Sequence, residues 1–259
     1  MTPKKTLADA LHFLAVNRKL GKDMQYLHVR LSPDLPESAM DAIAEIAKTK
    51  FGKDDHQVFR FAPHNELLIT THTRLRPMLT DTDRAITEAY PGGASRIMAN
   101  DLGEDGLGLL IRVLGKLIGE NDRLLQMAHK RLARTSNVII VLDDDPIILR
   151  TCEKILKMFG DVHVVDTPEK FFEIYEDVAP NIAFIDIHLR GYKGPPIVKV
   201  AREKFDPHIH AVLISSDTAK ETVMSIKDSG AAGFIVKPFS RDTLFQHLLN
   251  APTFVSKGI

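Results

Sequence analysis

Three apolar runs in the second half of the chain each end in charge. Residues 138–146 (VIIVLDDDP) close on three aspartates, 182–188 (IAFIDIH) carry Asp186, and 233–239 (GFIVKPF) deliver Lys237 just before Pro238. Four or five consecutive Val, Ile, Phe or Leu residues suit a strand of a parallel sheet, buried on both faces. In an open parallel sheet, binding sites collect beyond the carboxyl ends of the strands. The three runs therefore send their charges to one rim. Carboxylates crowded there repel one another unless a hard cation or a lysine joins them. The pattern predicts a pocket for Mg2+ and an anion such as phosphate.

The intervening segments support that sheet. Strands are expected at 137–142, 162–165, 182–187, 211–215 and 233–236. Helices are expected at 146–159, 168–178, 196–205, 219–229 and 241–249. Strictly alternating short βα units specify a doubly wound α/β domain with a parallel sheet. The first half follows a different rhythm. Helix 7–20, strand 25–31, helix 38–51, strands 57–61 and 67–71 around a turn at Pro63-His64-Asn65, helix 75–90 and strand 95–100 contain the order βαββαβ. That order predicts a small α+β unit of ferredoxin-like type. Along 25–31, Tyr26, His28 and Arg30 alternate with Leu27, Val29 and Leu31, as in a half-exposed strand. Between the halves, Leu107, Leu110, Leu114, Leu117, Asn121, Leu124 and Ala128 fall at heptad spacing. A lone polar residue at an a position, here Asn121, favours a registered parallel dimer. Gly108, Gly115 and Gly119 oppose a helix, and the same leucines would also serve to pack on the first unit. The expected division is an N-terminal interaction domain at 1–104, a helical connector and possible coiled-coil dimerisation helix at 105–135, and the α/β domain at 136–259.

Composition excludes several classes. With 44% apolar and 26% charged residues, the 259-residue chain is globular. Through residue 135 there are 20 Lys+Arg and 17 Asp+Glu, a charge of +3, and the remainder carries −3. Neither half has the charge of a dedicated nucleic-acid binder, so direct DNA binding is not expected. A single cysteine, Cys152, excludes an internal disulfide and fits a reducing, cytoplasmic setting. It reads as a structural thiol on an amphipathic helix. No apolar stretch reaches membrane-spanning length. Lys4-Lys5 followed by 7–16 imitates a signal peptide, but Asp9 and His12 interrupt it, and an amphipathic first helix is expected.

With Asp143, Asp144, Asp186, Ser215 and Lys237 in place, residues from about 137 to 250 resemble the receiver domain of two-component response regulators. The resemblance rests on an acidic pair after the first strand and an aspartate after the third. A hydroxyl after the fourth strand and Lys-Pro after the fifth complete it. It implies a flavodoxin-like fold in which Asp186 accepts a phosphoryl group from a sensor histidine kinase or a histidine phosphotransfer protein. It further implies that Asp144 and Asp186 bind Mg2+ directly, Asp143 through water, and that the backbone carbonyl of His188 completes the metal shell. Lys237 and Ser215 would contact the phosphoryl group, and Ser215 and an aromatic residue on the fifth strand, here Phe234, would form the switch. His188 and Asp217 occupy positions that tune hydrolysis of the acyl phosphate in that family, and the small Ser216 leaves room for water. The sequence departs from the family at Phe234, where tyrosine is commoner, and at Arg190, where a proline usually sits and whose absence predicts a less rigid loop.

Structural readings of the same residues are blander. Asp145 suits a helix N-cap before Pro146, and capping alone would not need Asp143 and Asp144 as well. Asp143 and Asp145 also match the Asp-x-Asp spacing of haloacid-dehalogenase-like phosphatases, but Ser215 and Lys237 suit a receiver better. In the first half, 60–69 (RFAPHNELLI) bears a faint resemblance to the diguanylate cyclase domain. Ala62, Pro63, His64 and Asn65 stand where that family has Gly-Gly and acidic residues, so a noncatalytic interaction domain is expected. His12, His56, His64, His72 and His129 show no metal-ligand spacing or phosphotransfer box and read as surface histidines. His208 and His210 belong to the loop into the fourth strand. The expected function is a phosphorelay response regulator, not an enzyme. With no effector after the receiver, phosphorylation would switch protein contacts or homodimerisation through the N-terminal domain, whose protein target is unknown. The alternatives are a receiver-regulated nucleotide second-messenger protein and a phosphorelay intermediate that passes the group on through a helix histidine.

Overall fold

The computed structural model describes residues 6–51, 56–61, 64–72, 79–91, 94–216 and 220–256. Pro63, the start of the predicted helix at 75–78, and Asp217 lie outside the described residues. The chain divides into two units, Met1–Leu125 and Gln126–Ile259.

The first unit contains α1 (Leu7–Asn17), β1 (Gln25–Leu31), α2 (Glu37–Phe51), β2 (His56–Phe61), β3 (Glu66–Thr71), α3 (Leu79–Ala89), β4 (Ala94–Asp101) and α4 (Glu104–Gly115). Its sheet has the order β2-β3-β1-β4, with every neighbouring pair antiparallel. This is the ferredoxin-like α+β arrangement that the element order predicts. Leu27, Val29 and Ile69 of the sheet pack with Met40 and Ile43 of α2 and Ile86 of α3. Asp9, the residue that interrupts the apolar segment in sequence, closes a capping box with Thr6 at the start of α1.

The other sheet face corrects the half-exposed reading of β1. Tyr26 and His28 are buried. Helix α1 sets Phe13 against Phe59 of β2, and the Tyr26 hydroxyl donates to the Gly106 carbonyl of α4 at 3.1 Å. A strand covered on both sides must pair its polar groups. Glu66 is hydrogen-bonded to His28 and Arg30, each at 2.6 Å. Burial pushes the Glu66 carboxyl up, and the bonds from His28 and Arg30 outweigh it and hold it below the usual carboxylate range.

The heptad positions do not share one helix. Helix α4 ends at Gly115, and α5 (Arg123–Ala133) starts afresh after a turn. Asp122 accepts from the Leu125 N–H at 3.1 Å and so caps the new start. Gly115 and Gly119 lie in or beside the break, as their poor helix propensity favours. Leu110 and Leu114 are buried in the first unit, whereas Leu124 is exposed. The continuous connector helix expected at 105–135 is therefore absent, and with it a single uninterrupted dimerisation seam.

The second unit contains β5 (Asn137–Leu142), α6 (Pro146–Leu156), β6 (Gly160–Val165), α7 (Pro168–Val178), β7 (Ile182–Asp186), a hairpin of β8 (His188–Leu189) and β9 (Tyr192–Lys193), α8 (Gly194–Val200), β10 (Ala211–Ser215), α9 (Lys220–Ser229), β11 (Gly233–Val236) and α10 (Arg241–Leu249). Its five parallel strands run β11-β10-β7-β5-β6. This is the flavodoxin-like doubly wound order, with its switch point between β5 and β7. Ile140, Leu142 and Ile185 face Phe171, Ile197 and Val198 on one side. Ile139, Val141 and Phe184 face Cys152, Leu156 and Leu244 on the other. Cys152 is buried and its thiol is pushed up to about 12 by burial, which suits a structural role.

A buried cation helps to bind helix α5 to this unit. Arg131 donates to Asp206 at 2.6 Å, to Tyr175 at 3.4 Å, and to the carbonyls of Ala179 and Pro180 at 3.2 and 3.0 Å. Burial pushes the Asp206 carboxyl up, but Arg131 and the Tyr175 hydroxyl outweigh it and hold it below its ordinary value. The ion pair's contribution is then present above the unfolded-state value of about 3.9 and is lost as pH falls through the lower folded value. Arg131→Ala should cost roughly 3–5 kcal/mol by stranding a buried carboxylate, read by urea unfolding near neutral pH. The gap to wild type should narrow in acid; a constant gap contradicts the pairing.

Candidate functional site

The switch point brings together residues far apart in sequence. Strand β5 ends at Leu142, in register with Ile185, so Asp143 emerges beside Asp186. Ile214 of β10 is the partner of Asp186, which places Ser215 one step beyond on the neighbouring strand. On the other side of β10, Val236 pairs with Ser215, and the Lys237 N–H donates to the Ser215 carbonyl at 2.7 Å. Lys237 then projects back over the rim. Its Nζ donates to Asp143 Oδ2 and to Asp186 Oδ1, both at 2.7 Å.

Asp143 and Asp186 are buried, at 1% and 5% exposure, and their remaining oxygens are held as well. Asp143 Oδ1 accepts from the Asp145 N–H and Asp186 Oδ2 from the His188 N–H, each at 2.9 Å. Burial pushes the Asp143 carboxyl above its ordinary value; Lys237 and the Asp145 N–H draw it down, and Asp186 adds to the rise. Burial would lower the Lys237 ammonium, but its bonds to Asp143 and Asp186 outweigh this and hold it above its usual value. Asp145 caps α6 by accepting from the Ile147 N–H at 2.8 Å, with Pro146 at the first helical position. Its carboxylate is thus used in capping, and its backbone N–H is what reaches the pocket, at Asp143.

Asp143, Asp144 and Asp186 each offer a carboxylate oxygen within 4.8 Å of the others. An all-oxygen, anionic donor set of this size fits a hard divalent cation better than a soft metal. Ser215 is fully buried. Phe234, on the edge strand β11, is 37% exposed, so its ring faces outward.

The loop after Asp186 was not legible as structure in the sequence. His188 pairs with Lys193 and Leu189 with Tyr192 across a two-residue turn at Arg190 and Gly191. Gly191 has φ of +78°, which a glycine adopts without strain. Gly194 follows where any Cβ would collide with the Asp186 carbonyl. The loop, expected to be loosened by the lack of proline, is held by this hairpin and by the Tyr192 hydroxyl on Glu169 at 2.5 Å. Arg190 turns to Asp144, with Nε 3.1 Å from Oδ2. The His188 side chain is exposed.

Residues 139–249 match the family model of the response regulator receiver domain. Transcriptional regulatory protein MctR of Rhizobium johnstonii is 24% identical over 127 residues, which cover 47% of this chain and 59% of MctR. This chain thus spans about three-fifths of that relative's length. Chemotaxis protein CheY of Listeria monocytogenes is 29% identical over 115 residues, 43% of this chain and 96% of CheY. Among solved structures, response regulator DrrB of Thermotoga maritima is 27% identical and covers 43% of this chain and 50% of its own, with a TM-score of 0.40.

Lys237→Met should leave Asp143 and Asp186 facing each other without a counter-charge. The Asp143 carboxyl should then titrate at a still higher pH, followed by carboxyl-carbon NMR. A proton bound more tightly in the folded state makes folding less favourable as pH rises through that value. The variant should therefore lose more stability at neutral pH than near pH 4. An equal loss at both would contradict the bridging role.

Proposed function

We propose that this chain, through its response regulator receiver domain, is a phosphorelay response regulator that takes a phosphoryl group on Asp186 from a sensor histidine kinase or a histidine phosphotransfer protein. The supporting observation is the Lys237 ammonium bonded at once to Asp143 and Asp186, with Asp144 alongside. In this reading an Asp186 oxygen attacks phosphorus. The P–N bond to the donor imidazole breaks, its electron pair stays on the imidazole, and an aspartyl phosphate remains. Asp143, Asp144 and Asp186 would hold Mg2+, with the His188 backbone carbonyl as a further ligand. Bound Mg2+ supplies positive charge that offsets the phosphoryl oxygens. Phosphoryl transfer needs positioning and charge neutralisation more than covalent work by the protein. Lys237 presents a compact ammonium to one oxygen.

Ser215 supplies the switch. Its hydroxyl bonds a phosphoryl oxygen only when that group is present, so the modified state gains an interaction that the unmodified state lacks. A shift of Ser215 carries the end of β10 with it, and the outward Phe234 on the neighbouring β11 repacks. His188 and Asp217 set the lifetime of the acyl phosphate. Self-phosphorylation and autodephosphorylation are the only chemistry in this reading. The N-terminal ferredoxin-like unit, 1–104, delivers the output by changing contacts with a protein target or a second copy of the chain, through residues 105–135. No described helix is long and apolar enough to cross a membrane, and the lone reduced Cys152 agrees with a cytoplasmic setting.

Incubation with acetyl phosphate and Mg2+ should add one phosphoryl group to the wild-type chain, seen by intact-mass measurement. Asp186→Asn should take up none. Lys237→Ala should label roughly a hundredfold more slowly, the scale for losing one positioned charge. Labelling of Asp186→Asn at the wild-type rate would contradict the assignment. Beryllofluoride should change amide exchange across residues 106–134; unchanged exchange there would remove the proposed output route.

A further inference from the structure

Arg190 stands outside the residues that the proposed phosphoryl transfer uses, yet it reaches them. It occupies the first position of the two-residue turn between β8 and β9, and Gly191 takes the second with positive φ. The hairpin is closed at its base, where the Gly194 N–H at the start of α8 donates to the carbonyl of Ile187, just after β7, at 3.0 Å, and it is tied to α7 by Tyr192 on Glu169. Its turn is therefore held over the rim, and the Arg190 Nε lies 3.1 Å from Asp144 Oδ2. The Arg190 side chain is 87% exposed and Asp144 24% exposed, so the guanidinium can leave for water at little cost. Asp143 and Asp186 are different: their cation is the half-buried Lys237, which the transfer reaction itself requires.

We propose that Arg190 is a built-in competitor for the divalent cation, holding the Asp144 carboxylate that the cation needs and setting how much Mg2+ is required to load the site. The inference rests on the reading of Asp143, Asp144 and Asp186 as a Mg2+ site. The physical reason is shared demand. Mg2+ binds through one or two carboxylates in a strict geometry, and a guanidinium paired with Asp144 at 3.1 Å cancels charge that attracts the metal and stands beside the oxygen that the metal would take. Because the pair is exposed, the competition is weak and sensitive to salt. It tunes the threshold for Mg2+ and does not block the site.

Calorimetric titration of MgCl2 into the full-length chain at low ionic strength tests this, comparing wild type with Arg190→Ala and Arg190→Lys. Arg190→Ala should bind Mg2+ roughly two- to fivefold more tightly, the scale of an exposed ion pair. Arg190→Lys, which keeps the charge, should stay near wild type. The gap should close in about 1 M monovalent salt, where the Debye length is about 3 Å. Thermal unfolding should be the same for all three proteins, which separates competition from a structural role. Equal or weaker Mg2+ binding by Arg190→Ala at low salt overturns the inference while leaving the metal site intact. Absence of Mg2+ binding by both wild type and Arg190→Ala overturns the metal-site reading itself.

Discussion

The Lys237 ammonium lies 2.7 Å from both Asp143 and Asp186, carboxylates that precede it by 94 and 51 residues. Without a cation between them, two buried carboxylates at this separation would drive up each other's proton affinity, as burial already does at Asp143. The sheet makes the arrangement possible. Strands β5 and β7 are hydrogen-bonded neighbours, and β10 bridges β7 to β11, so all three charges arrive at one rim. The flanking bonds from the Asp145 and His188 N–H groups fix the carboxylate planes. In the proposed reading, a divalent cation and an anionic phosphoryl group would meet here a carboxylate set and an ammonium already held in place, the electrostatic requirement of phosphoryl transfer.

A second buried charge set in the same unit serves a different end. Arg131, Asp206 and Tyr175 meet with the carbonyls of Ala179 and Pro180, just ahead of where β7 begins, and Asp206 precedes β10. These groups therefore lie at the amino ends of the strands, opposite the acidic rim. They bind α5 to the unit and are satisfied by one another. The contrast separates structure from chemistry on physical grounds. The Arg131 set is buried throughout, whereas the Asp143–Asp144–Asp186 set keeps one carboxylate, Asp144 at 24% exposure, at its mouth.

Much of the second unit was legible because its signals are local. The strands at 137–142, 211–215 and 233–236 and the helices at 168–178 and 241–249 appear with the predicted bounds. Unbroken β-branched runs and Pro or Ser at helix starts specify such elements almost residue by residue. Asp143, Asp186 and Lys237 were legible because each ends an apolar run. The Arg131–Asp206 pair was not, since partners 75 residues apart leave no periodic trace. The buried face of β1 was misread because Tyr26, His28 and Arg30 alternate as solvent-facing residues do, and only α1 and α4 turn that face inward. The heptad spacing of the connector was real, but spacing cannot register the turn that Gly115, Gly119 and the Asp122 cap impose. The β8–β9 hairpin is too short for any strand signal.

The most direct test of the central claim is a crystal structure of the full-length chain grown with Mg2+ and beryllofluoride. The account predicts beryllium bonded to an Asp186 carboxylate oxygen, a magnesium ion among Asp143, Asp144 and Asp186, and Lys237 and Ser215 on the fluorides. Beryllofluoride bound elsewhere, or a magnesium ion away from these three carboxylates, would contradict it.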